Sequence, residues 1–306
     1  MKNKPVKNQP VKRKAFGASL LYLAPSLAGV LFFYMAPFAD VLKRSFQDDM
    51  CRRFVGMENY AKLFQSRSFL LAGKNTLFFI LCSTPLLLAL SLCLAVLLHQ
   101  HTKKYSPMHT DNTPRPILAA CYLLPLAIPV AALAGIWKIF FHEYGLFNAL
   151  LDCFGIAKTD WINTEASMFV VIATYLWRNL GYTVVLWLAG LSAIDPLLYE
   201  AAALDGADEK KQFSCITLPL LKPLGFTVSV LAVLSTFKVF RDIYLISGDY
   251  PNKSIYMIQH LLNNWFTNME FGKITAAALV ILLIAGWLVL GLQICFSLQK
   301  RRNYYG

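Results

Sequence analysis

The chain is written in long apolar stretches separated by short polar ones. Four stretches hold no charged residue: 15–39, 75–98, 116–137 and 274–299. Two more, 166–194 and 223–246, are interrupted only by Arg178 and by Lys238, Arg241 and Asp242. A bilayer core needs about 20 apolar residues per helix, and each stretch is long enough. The pattern predicts an all-α polytopic membrane protein with six transmembrane helices, approximately 15–39, 75–98, 116–141, 166–194, 223–246 and 274–299. A basic tail, 1–14, precedes this domain (15–299), and a basic end, 300–306, follows it.

Composition supports the same solvent. Of the 306 residues, 57% are hydrophobic and 15% charged, whereas a soluble domain carries about 25% charged residues. The first stretch follows Lys12, Arg13 and Lys14 as a signal peptide would. Its apolar run is longer than an h-region of about 7–15 residues, so it is expected to remain as a helix. The net charge of +12 is no nucleic-acid footprint, because six cations lie in the first fourteen positions and Lys300, Arg301 and Arg302 near the end. Both flanks suit a cytoplasmic membrane face, and an even number of spans puts both termini there. The loop 40–74 then lies outside although it holds Lys43, Arg44, Arg52, Arg53, Lys62, Arg67 and Lys74. Seven cysteines, an odd count without a C-x-x-C pair, predict neither a disulfide framework nor a zinc site; they read as small buried hydrophobes.

One polar loop, 195–223, is strongly helical. Asp195 is placed to cap a helix with Pro196 at its first position. Tyr199-Glu-Ala-Ala-Ala-Leu204 favours helix, and Gly206 can take the left-handed turn that ends it. Asp208 and Glu209 suit the start of a second helix, expected to run through Phe213 and Ile216 until Pro219 redirects it. This predicts a helix–turn–helix hairpin over 195–219, with Ala201, Ala202 and Ala203 forming a low-relief face.

Glu200-Ala201-Ala202, three residues, Gly206, nine residues and Ile216-Thr-Leu-Pro219 resemble the signature loop of binding-protein-dependent ABC importer permeases. The flanking Asp205-Gly206-Ala207 and Leu218-Pro-Leu-Leu-Lys-Pro223 are similar to the maltose-type sugar branch. The resemblance extends over about 21–298. Gly56, Asn59 and Tyr60 resemble the first outer loop of the family. Trp137, Gly145 and Asn148 resemble its third-helix exit, and Phe240, Ile243 and Tyr244 the exit of its fifth. Where many members carry Gly-Gly-Pro, this chain has Gly248-Asp249-Tyr250-Pro251. The resemblance implies a type I importer bundle importing a sugar, with Glu200, Ala201, Ala202, Asp205, Gly206, Ile216 and Pro219 coupling it to an ATPase. It also implies a second permease subunit, two ATPase subunits and an extracytoplasmic solute-binding protein as partners, in the cytoplasmic membrane.

Arg178 lies near the middle of the fourth expected span. A charge there costs about 2.5–3.5 kcal/mol on insertion scales, so it should face protein or water. Two readings compete. With Trp177, Asn179 and Tyr182 it lines a solute path, where aromatic faces and hydrogen-bond donors suit a sugar; or it makes a structural pair or a hydrogen bond to a backbone carbonyl. Asp242 is expected to pair locally with Lys238 or Arg241.

No P-loop occurs, since Gly73-Lys74 and Gly272-Lys273 lack the upstream glycine and the following hydroxyl. No cofactor is expected on this chain, and ATP is used by the partner. His142-Glu143 has Leu at position 146, so no zincin pair forms, and no G-x-S-x-G is present. A membrane enzyme therefore has no catalytic constellation. An ion-coupled transporter needs mid-depth carboxylates, which the spans lack. A permease of the same family for another solute, such as glycerol phosphate, wants several deep cations where only Arg178 is deep.

Overall fold

The computed structural model describes residues 22–50, 53–105 and 116–302. The expected tail 1–14, the first residues of the first span, much of the loop 99–115 and residues 303–306 of the basic end lie outside these. Among the described residues, regular structure is helical, apart from one antiparallel bridge between Gln47 and Phe54. Among the described residues, five helices are long and apolar enough to cross a membrane, or six if one bent pair forms a single span.

The chain gathers into two compact units, one from residues up to 63 with 269–280, the other from 64–268 with the residues after 280. In the first unit, α1 (Tyr22–Arg44) is free of charge as far as Ala39, with Phe32, Phe33 and Tyr34 exposed, as suits a helix bathed in lipid. A π turn, Leu31–Met35, interrupts it where the Ala36 N–H bonds the Leu31 carbonyl. Pro37 follows directly; it has no N–H to donate and its ring crowds the preceding turn, and the wider π turn makes room for it. Beyond α1, Asn59 at the start of α2 (Glu58–Gln65) donates from Nδ2 to the carbonyls of Ser45 (2.9 Å) and Gln47 (2.7 Å). The Tyr60 hydroxyl donates to Ser45 Oγ at 2.9 Å. Gly56 turns the chain at φ +59. Gly56, Asn59 and Tyr60, expected in an outer loop, thus fasten that loop to itself.

The second unit holds α3 (Arg67–Tyr105), α4 (Pro116–Ala127), α5 (Val130–Phe140), α6 (Leu146–Asp152) and α7 (Ser167–Ser192). It continues with α8 (Pro196–Leu204), α9 (Glu209–Gln212), α10 (Leu218–Thr236), α11 (Val239–Ser247) and α12 (Ile258–Thr267). The last helix, α13, is Phe271–Arg302, of which the part beyond residue 280 belongs here. The core forms where α3, α7, α10 and α11 meet, around Phe79, Tyr175, Ala232 and Ile243, and again nearer the hairpin around Ala95, Val184, Trp187 and Val228. Lipid gives apolar helices no reason to associate, so packing and interhelical hydrogen bonds carry the contact. Trp187 Nε1 donates to Ser91 Oγ at 3.0 Å, and the Tyr175 hydroxyl to the Ala232 carbonyl at 2.9 Å.

Three expectations change. The third apolar stretch is a bent pair, with Cys121–Ala127 and Val130–Phe140 meeting at 97°. Pro129 causes it by lacking an N–H and driving the preceding residue out of the helical region. Pro219 does not redirect the chain: helix continues from Glu209 to Thr236 because a second π turn, Phe213–Thr217, closed by Leu218 N–H on the Phe213 carbonyl, accommodates the proline as the first does Pro37. The cysteines whose side chains are described are not core residues. Cys93, Cys121, Cys153 and Cys215 are exposed free thiols and Cys82 is half-buried.

Candidate functional site

The hairpin is built from local chemistry. Asp195 caps α8 by accepting from the Leu197 N–H at 3.0 Å, and Pro196 occupies the first turn. At the other end the Gly206 N–H bonds the Ala203 carbonyl (3.0 Å) and the Ala207 N–H bonds the Ala202 carbonyl (2.9 Å). With Gly206 at φ +80, this is the paired closure that satisfies the last carbonyls of a helix. Asp208 caps α9 through the Lys211 N–H at 2.9 Å. The base is clasped where the Tyr199 and Thr217 hydroxyls meet at 2.8 Å, and Tyr199 and Ile216 pack on the cluster around Val184 and Trp187.

The seven expected coupling residues divide accordingly. Glu200, Ala201, Asp205 and Gly206 are exposed, while Ala202 is half-buried. Ile216 turns inward as part of the root, and Pro219 is half-buried at the start of α10. Leu197 and Leu204, with no role assigned from sequence, are 66% and 90% exposed. Positions 197, 201 and 204 follow the spacing of one helix face. An apolar stripe rimmed by Glu200 and Asp205 is the form of a docking surface. The periodicity that reveals Leu197 and Leu204 was present in the sequence, hidden by the alanines between them.

The four candidate path residues also separate. Arg178 Nη1 donates to both carboxylate oxygens of Asp242 on α11, at 3.0 and 3.3 Å, with the two side chains 22% and 21% exposed. The expected local pairing of Asp242 with Lys238 or Arg241 is therefore corrected. The carboxylate faces α7 and not its own helix, where it neutralises a charge that lipid would not tolerate. Trp177 stacks edge-on against Trp137 of α5, centroids 5.3 Å apart. Asn179 Nδ2 is committed to the Tyr175 carbonyl at 2.8 Å. Asn179 and Tyr182, with Ser235, line a cavity of about 30 Å³ among α3, α7 and α10, enough for about one water.

Comparison with known proteins agrees with this architecture. The profile of a binding-protein-dependent transport system inner membrane component matches residues 76–295. The chain is 31% identical over 258 residues to a trehalose/maltose transport system permease protein of Thermococcus litoralis, covering 82% of this chain and 84% of the relative. It is 28% identical over 274 residues to an arabinooligosaccharides transport system permease protein of Bacillus subtilis, covering 87% and 84%. In fold it resembles a chain of a bacterial ABC transporter involved in import of the acidic polysaccharide alginate, with TM-score 0.77 at 22% identity over 94% of this chain and 99% of that one.

Proposed function

The chain belongs to the binding-protein-dependent transport system inner membrane components, and on that premise we propose that it forms the solute path of an ATP-driven importer of neutral sugars. It is a multi-pass permease subunit of the cytoplasmic membrane that works with a solute-binding protein. The observation that carries the proposal is the hairpin, whose exposed stripe of Leu197, Ala201 and Leu204 stands on a hydrogen-bonded root. A rigid projection of that kind transmits displacement to α7 and α10, the helices it joins. We assign Glu200, Ala201, Ala202, Asp205 and Gly206 to contact with a separate ATPase subunit, and Ile216 and Pro219 to the joint between that contact and the spans. Two such ATPases, a second permease subunit and an outer binding protein complete the assembly, with both termini of this chain on the ATPase side. ATP closes the ATPase pair, and the spans shift between inward-open and outward-open populations through differential binding of the two states.

Two observations favour a neutral sugar. Two of the relatives are named for trehalose and maltose and for arabinooligosaccharides. The deep cation Arg178 is neutralised by Asp242, which removes the charge a glycerol phosphate or uronate path would use. The test is ATP-dependent uptake by the complete assembly in proteoliposomes, with maltose, trehalose and arabinotriose set against glycerol 3-phosphate. Uptake of a neutral saccharide, abolished when ATP is replaced by ADP, is expected. Uptake of glycerol phosphate alone, or uptake indifferent to ATP, overturns the reading.

A further inference from the structure

A cavity of about 570 Å³ opens beside the end of α11, within the second unit. Lys138, His142, Glu143 and Asp160 form one side of its lining, and Tyr244 and Ser247 another. Its size falls in the range of small-molecule sites, about 300–1,000 Å³.

The first side is fixed in advance. The buried Asn148 donates from Nδ2 to the carbonyls of His142 (3.2 Å), Glu143 (2.8 Å) and Thr159 (2.8 Å), and accepts from Trp161 Nε1 at 2.9 Å. Asp160 accepts from the N–H groups of Ile162 (3.0 Å) and Asn163 (3.1 Å). A binding surface held by its own hydrogen bonds loses little freedom when a ligand arrives.

Three features point to the ligand. Ser247 lines the cavity, and its Oγ is buried without a hydrogen-bond partner among the described residues, so rotation about its Cα–Cβ bond towards a polar atom in the cavity would satisfy a group that is otherwise unfulfilled. Lys138 and Glu143 form no ion pair among the described residues. With His142 and Asp160 they supply donors and acceptors of both signs and no excess of positive charge. The Tyr244 ring, 38% exposed, gives the lining an aromatic surface. Hydroxyl-reading groups of both kinds beside one aromatic face suit a polyol ring, polar at its rim and apolar on its faces. A phosphate or uronate would meet Glu143 and Asp160. Among the described residues no three histidine, cysteine or carboxylate groups gather to hold a metal ion.

We propose that this cavity is a subsite for a neutral saccharide of one or two rings, stacked on Tyr244 and hydrogen-bonded by Ser247, Lys138 and Glu143, separate from the ion pair at Arg178. The proposal rests on the sugar-import reading. The test uses the complete assembly in lipid nanodiscs without its binding protein, probed with maltose, trehalose and arabinotriose by saturation-transfer-difference NMR, beside ATP-driven uptake of the same sugars. Tyr244→Ala on one side and Lys138→Met on the other are compared, with Ser247→Val as a third and smaller change. For the sugar that is taken up, the NMR signal should fall about five-fold or more in Tyr244→Ala and by a smaller factor in the other two. Uptake with NMR signals unchanged in all three variants overturns the subsite and leaves the transport reading standing. So does a loss confined to capture of the binding protein, since the cavity would then hold a protein loop. Failure of every sugar to be taken up overturns the import reading and this proposal with it.

Discussion

Arg178 and Asp242 are separated by 64 positions in sequence, and their contact sets the energetics of the membrane interior at residue scale. Removing one partner strands the other, which costs more than removing both. Arg178→Leu or Asp242→Leu alone should lower the stability of the solubilised chain by about 2 kcal/mol, less than for a fully buried pair because each side chain is about a fifth exposed. The double variant should recover at least half of that loss, whereas Lys238→Ala, at an exposed position, should stay within about 0.5 kcal/mol. Thermal unfolding of the wild type and these four variants in one detergent measures this, and additive losses would remove the pair from the account. A second residue, His260 on α12, lies outside the spans with no exposed surface. Its ring meets Phe240 edge-on at 4.7 Å, its Nδ1 accepts from the Met257 N–H, and its Nε2 has no partner among the described residues. Burial opposes the charged form and lowers its pKa from 6.5 to about 4, against a small opposing pull from Asp249. The unfolded chain then binds the proton more readily between these values, so stability is complete above pH 6.5 and declines as the pH falls towards 4. The slope is at most about 1.4 kcal/mol per pH unit. His260→Leu should be less stable at pH 7.5, because the Met257 N–H loses its acceptor, yet lose less on acidification to pH 5. A melting temperature that falls equally in both proteins would exclude His260 as the titrating group.

At the scale of elements, what was legible was what short-range chemistry decides. Asp195, Gly206 and Asp208 each act within a few positions of themselves, and the hairpin forms as their order predicts. The long apolar runs were equally legible, because one solvent dictates each. The bend at Pro129 carried a local sign, but a charge-free run was read there as one helix. The two π turns were not legible: Pro37 and Pro219 announce a disturbance, and only the packing decides whether the chain turns or absorbs it. Least visible were contacts between elements. Gly181 on α7 resembles any glycine in a span, yet a Cβ built there would collide with the Tyr122 carbonyl oxygen of α4. The two backbones touch, as small residues allow in membrane helix packing. Gly181→Ala should therefore push α4 off α7 and cost about 1–3 kcal/mol, whereas Gly135→Ala, with open space around its Cβ, should be close to neutral. Cys121, exposed one position before Tyr122, reports the difference. Its labelling by a membrane-permeant maleimide should quicken in the Gly181 variant only, and unchanged rates in both would show that the contact does not hold α4 in place.

At the scale of the whole molecule, the proposed coupling would pass force from a separate ATPase to helices in lipid through a small surface. Leu204 is 90% exposed and a Cβ built on Gly206 would meet nothing within 4 Å, so a side chain at either position adds little packing to the chain itself. That separates docking from folding. Leu204→Glu alters a side chain that touches little of its own protein, and folding stability should move by no more than about 0.5 kcal/mol. If the stripe of Leu197, Ala201 and Leu204 enters a cleft on the ATPase, a charge at its end must be desolvated without a partner there. Recovery of the ATPase on the tagged chain should then fall ten-fold or more, equivalent to about 1.4 kcal/mol of binding. Gly206→Val acts differently. At φ +80 a side chain costs about 1–2 kcal/mol, so the turn reopens and the angle between α8 and α9 changes, with membrane insertion intact. Such a variant can still bind the ATPase through Leu204 while failing to move α10 in step with it, which predicts ATP hydrolysis no longer stimulated by loaded binding protein. Glu200→Ala should weaken attachment more mildly, by less than ten-fold, because this carboxylate stands at the exposed rim of the stripe, where a hydrogen bond remains partly solvated and contributes about 1 kcal/mol. Copurification and stimulated hydrolysis in proteoliposomes read the two effects separately. Wild-type values of both for Leu204→Glu and Gly206→Val would mean that the force enters the bundle elsewhere.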